Sequence, residues 1–170
     1  RLHKRQEVNA YYDYDPFGNL TTTTNAKGAK TTTYYESNFS AFPERVVNHL
    51  GHSVSYAYDP RFGVATKVTD PNKHTSETIY DDLGRVTTVK NVNQEVVTEY
   101  EYPDFNTKVT KQNGLFSIEH IDGLGRKYLT ESSGEDGAAS RRVASETYYN
   151  VRGQVASESL PHYIDEDIAK

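Results

Sequence analysis

The groups in this chain most able to do chemistry are carboxylates set close together: Asp13/Asp15, Asp81/Asp82 and Glu135/Asp136. Such pairs can divide acid and base roles or hold a hard cation. Their surroundings favour a simpler use. Most sit where turns are expected, and there an Asp side chain accepts the backbone N–H groups of its own turn. Asp13-Tyr14-Asp15 also lacks the downstream Gly and bidentate Glu of a calcium loop. No metal and no cofactor is expected.

The remaining candidates are weaker. Of the six histidines, His3, His49, His52, His74, His120 and His162, only His49 and His52 lie close in sequence. An i, i+3 pair makes a metal face on a helix, but this one spans Leu50-Gly51 and reads as a solvated hairpin tip. No Gly-x-Ser-x-Gly elbow accompanies the serines, and Gly123-Leu124-Gly125 lacks the third Gly and the helix of a nucleotide site. Asn19-Leu20-Thr21 and Asn38-Phe39-Ser40 are formal glycan-acceptor triplets of a kind frequent by chance. No catalytic residue is expected, and the chain does not read as an enzyme.

The elements that carry these residues are strands. Only 35% of the 170 residues are apolar, with 14 Tyr, six Phe and no Trp, Met or Cys. Tyr suits a sheet wet on one or both faces, packing its ring across strands while its hydroxyl reaches water. Thr is abundant at Thr21 to Thr24 and Thr31 to Thr33, and its branched Cβ favours the pleat over the helix. The expectation is an all-β, single-layer architecture with scarce helix. Lys and Arg are scattered within a net charge of −5, which disfavours nucleic acid as a partner. No run approaches the ~18 apolar residues of a membrane span, and residues 1–10 hold no signal-peptide core, so any export signal is expected elsewhere. The absence of Cys leaves the compartment open.

One pattern recurs: an aromatic or aliphatic residue, Asp or Asn, two variable positions, Gly, then often Arg. It is clearest in Tyr80-Asp81-Asp82-Leu83-Gly84-Arg85. Tyr14-Asp15-Pro16-Phe17-Gly18, Ile121-Asp122-Gly123-Leu124-Gly125-Arg126 and Tyr149-Asn150-Val151-Arg152-Gly153 follow it, and Tyr58-Asp59-Pro60-Arg61-Phe62-Gly63 does so with one residue inserted. Degenerate copies at Tyr35-Glu36-Ser37-Asn38-Phe39-Ser40 and Tyr102-Pro103-Asp104-Phe105-Asn106 fill the gaps and give about seven repeats of roughly 20 to 23 residues. A small, polar, Gly-rich stretch at 132–139 reads as an extended turn. A second set of turn signals lies between the motifs: Asn25 to Gly28, Asn48 to Gly51, Asp70 to Lys73, Asn91 to Gln94 and Gln112 to Gly114. Each repeat therefore holds two turns and two strands.

Turn chemistry explains the motif. Asp accepts N–H groups two or three residues on, Pro pre-sets φ, and Gly takes positive φ at the end. Positive φ is predicted at Gly18, Gly84, Gly125 and Gly153. A type I turn followed by a left-handed Gly is a bulged hairpin connection. Strands of about seven residues remain, with alternation visible from Ser53 to Tyr58 and from Val96 to Tyr102, where Thr98, Tyr100 and Tyr102 share a face. Arg85 and Arg126 are placed to reach the Asp of a neighbouring repeat or to stack on a Tyr face.

Tyr80-Asp81-Asp82-Leu83-Gly84-Arg85 and its relatives resemble the YD repeat of the Rhs family, which includes bacterial Rhs polymorphic toxins, the B and C components of toxin complexes, and teneurins. The resemblance covers nearly the whole chain and is nearest to the bacterial members. It implies antiparallel hairpins forming a curved or spiralling sheet, part of a hollow shell that encloses a C-terminal toxin domain. It also implies a secreted or cell-surface protein, with neighbouring repeats and the toxin domain as partners. The family's self-cleavage region has no counterpart here, and Ser159-Leu160-Pro161-His162-Tyr163 resembles a connector, so residues 159–170 are expected as a connector tail of one array spanning 1–170. Adhesive relatives suggest a second reading, in which Tyr56, Tyr58 and Tyr80 stack on carbohydrate or bind protein. Open outer strands, only partly protected by Asp165-Glu166-Asp167, imply edge-to-edge self-association.

Overall fold

The computed structural model describes residues 9–134 and 142–164. His3, the Glu135/Asp136 pair, residues 135–139 of the Gly-rich stretch and the acidic tail Asp165-Glu166-Asp167 lie outside the described residues. The elements among the described residues are strands, 15 in all, each paired antiparallel. The chain divides into two compact units, Arg1–Gly84 with Lys90–Glu95, and Arg85–Val89 with Val96–Lys170.

The first unit holds β1 (Tyr11–Tyr14), β2 (Leu20–Thr24), β3 (Lys30–Tyr35), β4 (Pro43–Val47), β5 (Ser53–Asp59), β6 (Val64–Thr69) and β7 (Thr75–Tyr80), each hydrogen-bonded to the next. The second holds β8 (Val86–Lys90) except its last residue, β9 (Val96–Glu101), β10 (Thr107–Gln112), β11 (Leu115–Ile121), β12 (Lys127–Ser133), β13 (Arg142–Tyr149), β14 (Val155–Glu158) and β15 (His162–Ile164). Here too β8 to β14 pair in chain order, while β15 pairs with β13. Ser132 and Ser133, read from sequence as loop, belong to β12.

Five of the residues that open the motif stand at a register shift. The ladder slips by one residue at Tyr14, Tyr35, Tyr58, Ile121 and Tyr149, leaving one unpaired residue on the following strand. These are β-bulges, which the hairpin connection requires and which sharpen the local twist. Where the unpaired residue is Thr it closes over the gap: the Thr21 and Thr66 hydroxyls donate to the Asp13 and Ala57 carbonyls at 3.1 and 3.2 Å.

Of residues 159–170, read as a connector, part is strand. β14 pairs with Thr147–Tyr149 and β15 with Arg142–Ala144, and between them Ser159 N–H donates to the Glu146 carbonyl at 2.9 Å. The Ser159 hydroxyl accepts the Glu146 N–H at 2.8 Å. β14 and β15 are thus two lengths of one edge strand, interrupted where Pro161 cannot donate to the ladder.

Neither unit has a conventional interior. Among the described residues Ala144, Thr22 and Gly134 are the buried ones, and no large side chain is fully buried. Apolar surface is instead half-covered between neighbouring strands, the expected outcome for a Tyr- and Thr-rich single layer.

Candidate functional site

The residues singled out by the motif divide into those that make turns and those that tie hairpins together. The turns share one design. At Asp15, Asn25, Asn48, Asp70, Asn91, Asp122 and Asn150 the side-chain Oδ1 accepts the N–H groups of the second and fourth residues beyond it. The backbone carbonyl of each accepts the N–H of the third. That third residue takes positive φ, which at Gly18, Gly125 and Gly153 is +88°, +76° and +77°. Asp81 begins the same way, accepting from Leu83 at 2.9 Å with Gly84 at +76°. The inserted residue after Asp59 is absorbed by a wider turn closed from Gly63 N–H to the Asp59 carbonyl at 2.9 Å. Glu36 spans a longer loop with a longer side chain, accepting from Asn38, Phe39 and Ala41 at 2.7, 2.9 and 3.1 Å.

These bonds hold the turn carboxylates charged. The Arg126 guanidinium, then the N–H groups of Arg126 and Leu124, keep Asp122 below the ordinary carboxylate range, and Arg61 does the same for Asp59. The Phe39 and Ala41 N–H groups lower Glu36. Partial desolvation pushes Asp15 up, but the Asn19 side chain and N–H and the Phe17 N–H outweigh it. Of the Asp81/Asp82 pair, Asp81 is taken by its turn, whereas Asp82 is 99% exposed and meets Arg61 at 3.4 Å. Capping accounts for Asp81, and an exposed ion pair with Arg61 occupies Asp82.

The tie between hairpins is a tyrosine. Tyr35, Tyr80, Tyr102 and Tyr149 donate their hydroxyls to the carbonyls of Leu20, Ala65, Val86 and Lys127 at 3.2, 3.0, 3.0 and 2.7 Å. Each acceptor stands two residues past the Gly that ends the preceding motif turn, Gly18, Gly63, Gly84 or Gly125. At these positions the hydroxyl donates to the backbone of a neighbouring strand, a partner the reading of Tyr as a water-facing residue did not include. The bulge interrupts the ladder where the strand begins, and the neighbouring Tyr supplies the donor.

A second contact reinforces the clasp. Arg85 and Arg126 lie over the rings of Tyr102 and Tyr149, with guanidinium carbons 4.2 and 4.4 Å from the ring centres. Arg126 also binds Asp122 at 2.6 Å, so its carboxylate partner belongs to its own turn and not to a neighbouring repeat. The glycines admit these neighbours. A Cβ on Gly153 would stand 3.2 Å from Arg126 Nη1, and one on Gly84 only 2.9 Å from the Phe62 ring.

Solved structures contain the same arrangement of chain. The crystal structure of TcdB2–TccC3 aligns over 91% of this chain and 11% of its own, with a TM-score of 0.73 and 18% identity. The TcdB2–TccC3–Cdc42 structure aligns at TM-score 0.73 and 14% identity over 91% and 13% of the two chains. The Photorhabdus luminescens Tc holotoxin pore gives 0.66 and 14% over 91% and 9%. The fold is of the Rhs/toxin-complex type. No family model and no curated protein matches the chain. The chain spans about a tenth of the length of the solved proteins it resembles.

In this toxin-complex-type fold the tyrosines read as sugar platforms are partly occupied by protein. Tyr56, Tyr58 and Tyr80 are all half-buried. Tyr58 stacks on Phe42 at 5.1 Å and tilts against Tyr56 at 6.2 Å, and burial, then Tyr56, raises its hydroxyl pKa. Tyr80 is engaged by the Ala65 carbonyl. Sequence reasoning did not find two other features. Glu131 joins three strands, meeting His120 Nε2 at 2.9 Å and Arg142 Nη1 at 3.2 Å. An open recess of about 670 Å³ lies among Val97, Val109, Leu115, Phe116, Ile118 and Arg142. The signal for both was alternation alone, which puts these side chains on one face without saying which neighbour each would meet. His49 and His52 are exposed at their hairpin tip.

Proposed function

We propose that this chain is a wall segment of a toxin-complex-type shell that helps enclose a C-terminal toxin domain of the complete protein. The reading gives it no catalysis of its own and places its action outside the producing cell. The observation that carries it is the match over 91% of this chain to about a tenth of a TcdB2–TccC3 chain, joined to a design in which a recurring tyrosine contact ties one hairpin to the next. A wall needs lateral continuity more than a cleft, and the clasps supply it. The carbohydrate reading is less favoured, since Tyr58 and Tyr80 already spend ring or hydroxyl on the protein.

Limited proteolysis of the complete protein tests the proposal. The domain at its C-terminus is expected to survive protease while the shell is intact and to be digested once residues 9–164 are deleted. Equal digestion with and without the segment would exclude a wall role. A glycan array on the isolated chain addresses the other reading: binding abolished by Tyr56→Ala or Tyr58→Ala would favour adhesion.

A further inference from the structure

The asparagines that cap turns are chemically tied down. At Asn25, Asn48, Asn91 and Asn150 the Oδ1 atom holds two backbone N–H groups, which fixes the carboxamide. The next residue in each case is Ala, His or Val, whose Cβ crowds its own backbone nitrogen. Asn113 is the opposite case. It precedes Gly114 in the chain's one Asn-Gly step, and both residues are exposed. Their φ angles of +52° and +78° are those of a two-residue type I′ turn, here joining β10 to β11. Neither the Asn113 carboxamide nor the Gly114 N–H makes a hydrogen bond among the described residues, and nothing lies within 4 Å of where a Cβ on Gly114 would stand.

A backbone nitrogen with no Cβ beside it can reach the carboxamide of the residue before it, an intramolecular attack that needs no separate catalyst. We propose that Asn113 is a site of spontaneous deamidation, with water as the co-reactant. The Gly114 nitrogen gives up its proton and bonds to Asn113 Cγ; the Cγ–Nδ2 bond breaks, and ammonia leaves with that proton, closing a cyclic imide. Water then adds to one imide carbonyl as the C–N bond there breaks and the nitrogen regains a proton. Opening at Cγ gives aspartate at position 113. Opening at the main-chain carbonyl gives isoaspartate, whose backbone runs through the former side chain and is one carbon longer. A two-residue turn has no slack for that carbon. Gln112 faces Leu115 and Lys111 faces Phe116 across it, so the isoaspartyl form opens the hairpin tip where these residues also line the recess. The aspartyl form adds a charge and keeps the turn, because Asp tolerates positive φ as Asn does. Asp122-Gly123 is the carboxylate version of the same step, but Arg126 and the N–H groups of Leu124 and Arg126 hold that side chain, and an ionised carboxylate resists the attack. None of this depends on what the complete protein encloses.

Ageing the folded, unmodified chain at mildly alkaline pH tests the proposal. Trypsin releases Asn113 within the peptide Gln112–Arg126, whose mass should rise as NH2 is exchanged for OH, with fragmentation distinguishing isoaspartate from aspartate. Loss of the amide is expected at Asn113 while Asn25, Asn48, Asn91 and Asn150 keep theirs. The loss should accelerate as pH rises, because the attacking nitrogen must be deprotonated. Asn113→Gln, whose longer side chain closes a ring far more slowly, should suppress it. Amide exchange separates the two products. Protection at Gln112 and Leu115, which pair across the turn, should fall in the isoaspartyl chain and persist in Asn113→Asp, which carries the charge without the extra carbon. Deamidation confined to the urea-unfolded chain, or reaching a capping asparagine first, would overturn the proposal. Unchanged protection in the isoaspartyl chain would overturn its effect on the hairpin.

Discussion

The turns at opposite ends of the strands share a backbone design and differ in what surrounds them. Those built on Asp15, Asp59, Asp81, Asp122 and Asn150 carry the motif; those on Asn25, Asn48, Asp70 and Asn91 do not. Both sets use a side-chain oxygen and a residue at positive φ. At the motif end that residue is glycine each time, whereas at the other end Lys73 and Gln94 occupy it at +67° and +64°. Tyrosine clasps and Arg-on-Tyr stacks gather at the motif end. On the far end Gln94 reaches across to the Thr75 carbonyl at 2.8 Å instead. Making a turn and joining repeats are thus separable jobs, and the recurring motif is the combination of the two.

The largest effect that would sharpen this contrast comes from glycine. Gly84→Val combines a disfavoured φ with a Cβ 2.9 Å from Phe62, and should cost about 3 kcal/mol or more in urea denaturation. Gly28→Val meets open space and should cost only the backbone part, about 1–2 kcal/mol. Equal costs would break the comparison.

Acid comes next, because several carboxylates respond together. Asp122, Asp59 and Glu36 have lowered folded-state pKa values. Their stabilisation is therefore complete above the ordinary carboxylate range and is lost as pH falls through the lowered values. Amide exchange of Leu124 and Arg126, which donate to Asp122, should accelerate on acidification beyond its intrinsic pH dependence. The Lys27 and Ala29 amides, which donate to Asn25, should keep their protection. Asp70 at the far end is also lowered, first by the His74 N–H, so Asn72 and His74 should follow the carboxylates. That outcome would tie acid sensitivity to Asp against Asn, not to which end of the strand is involved.

Tyr80→Phe removes one clasp and leaves the Ala65 carbonyl without its donor, a loss of about 1 kcal/mol. Tyr34→Phe, at a residue 45% exposed, should be close to neutral by the same measurement. The smallest change is a gain. Lys73→Gly relieves a non-glycine at positive φ and should stabilise by up to about 1 kcal/mol.

The part of the fold legible in the sequence is the local part. Asp15-Pro16-Phe17-Gly18 specifies its turn because the capping oxygen and the left-handed residue lie within three positions of each other. Tyr and Thr abundance indicated a half-wet layer. The clasp was not legible, since its acceptor is a backbone carbonyl 15 to 22 residues away that any residue supplies. For Arg126 both partners were available on charge and ring chemistry, and only the geometry of the turn shows that Asp122 of the same repeat is within reach. Lys73 and Gln94 at positive φ were invisible because the Asx oxygen carries the turn without help from glycine. β15 was hidden by Leu160-Pro161, which has the composition of a connector and is a break within one edge strand.

With no fully buried large side chain among the described residues, and with strands that meet in successive antiparallel pairs within each unit, stability here is a nearest-neighbour quantity. It accrues link by link, as in a one-dimensional lattice, and not through a shared interior that must be completed before any of it counts. A compact globule that gains residues must redistribute a three-dimensional core. This chain gains a hairpin by repeating contacts it already has, so insertion or loss of a whole period leaves the energetics of distant hairpins nearly untouched. Length becomes a free evolutionary variable, and the mechanical signature follows: drawn apart at its ends, such a chain should yield as a succession of small, similar force steps, one hairpin at a time.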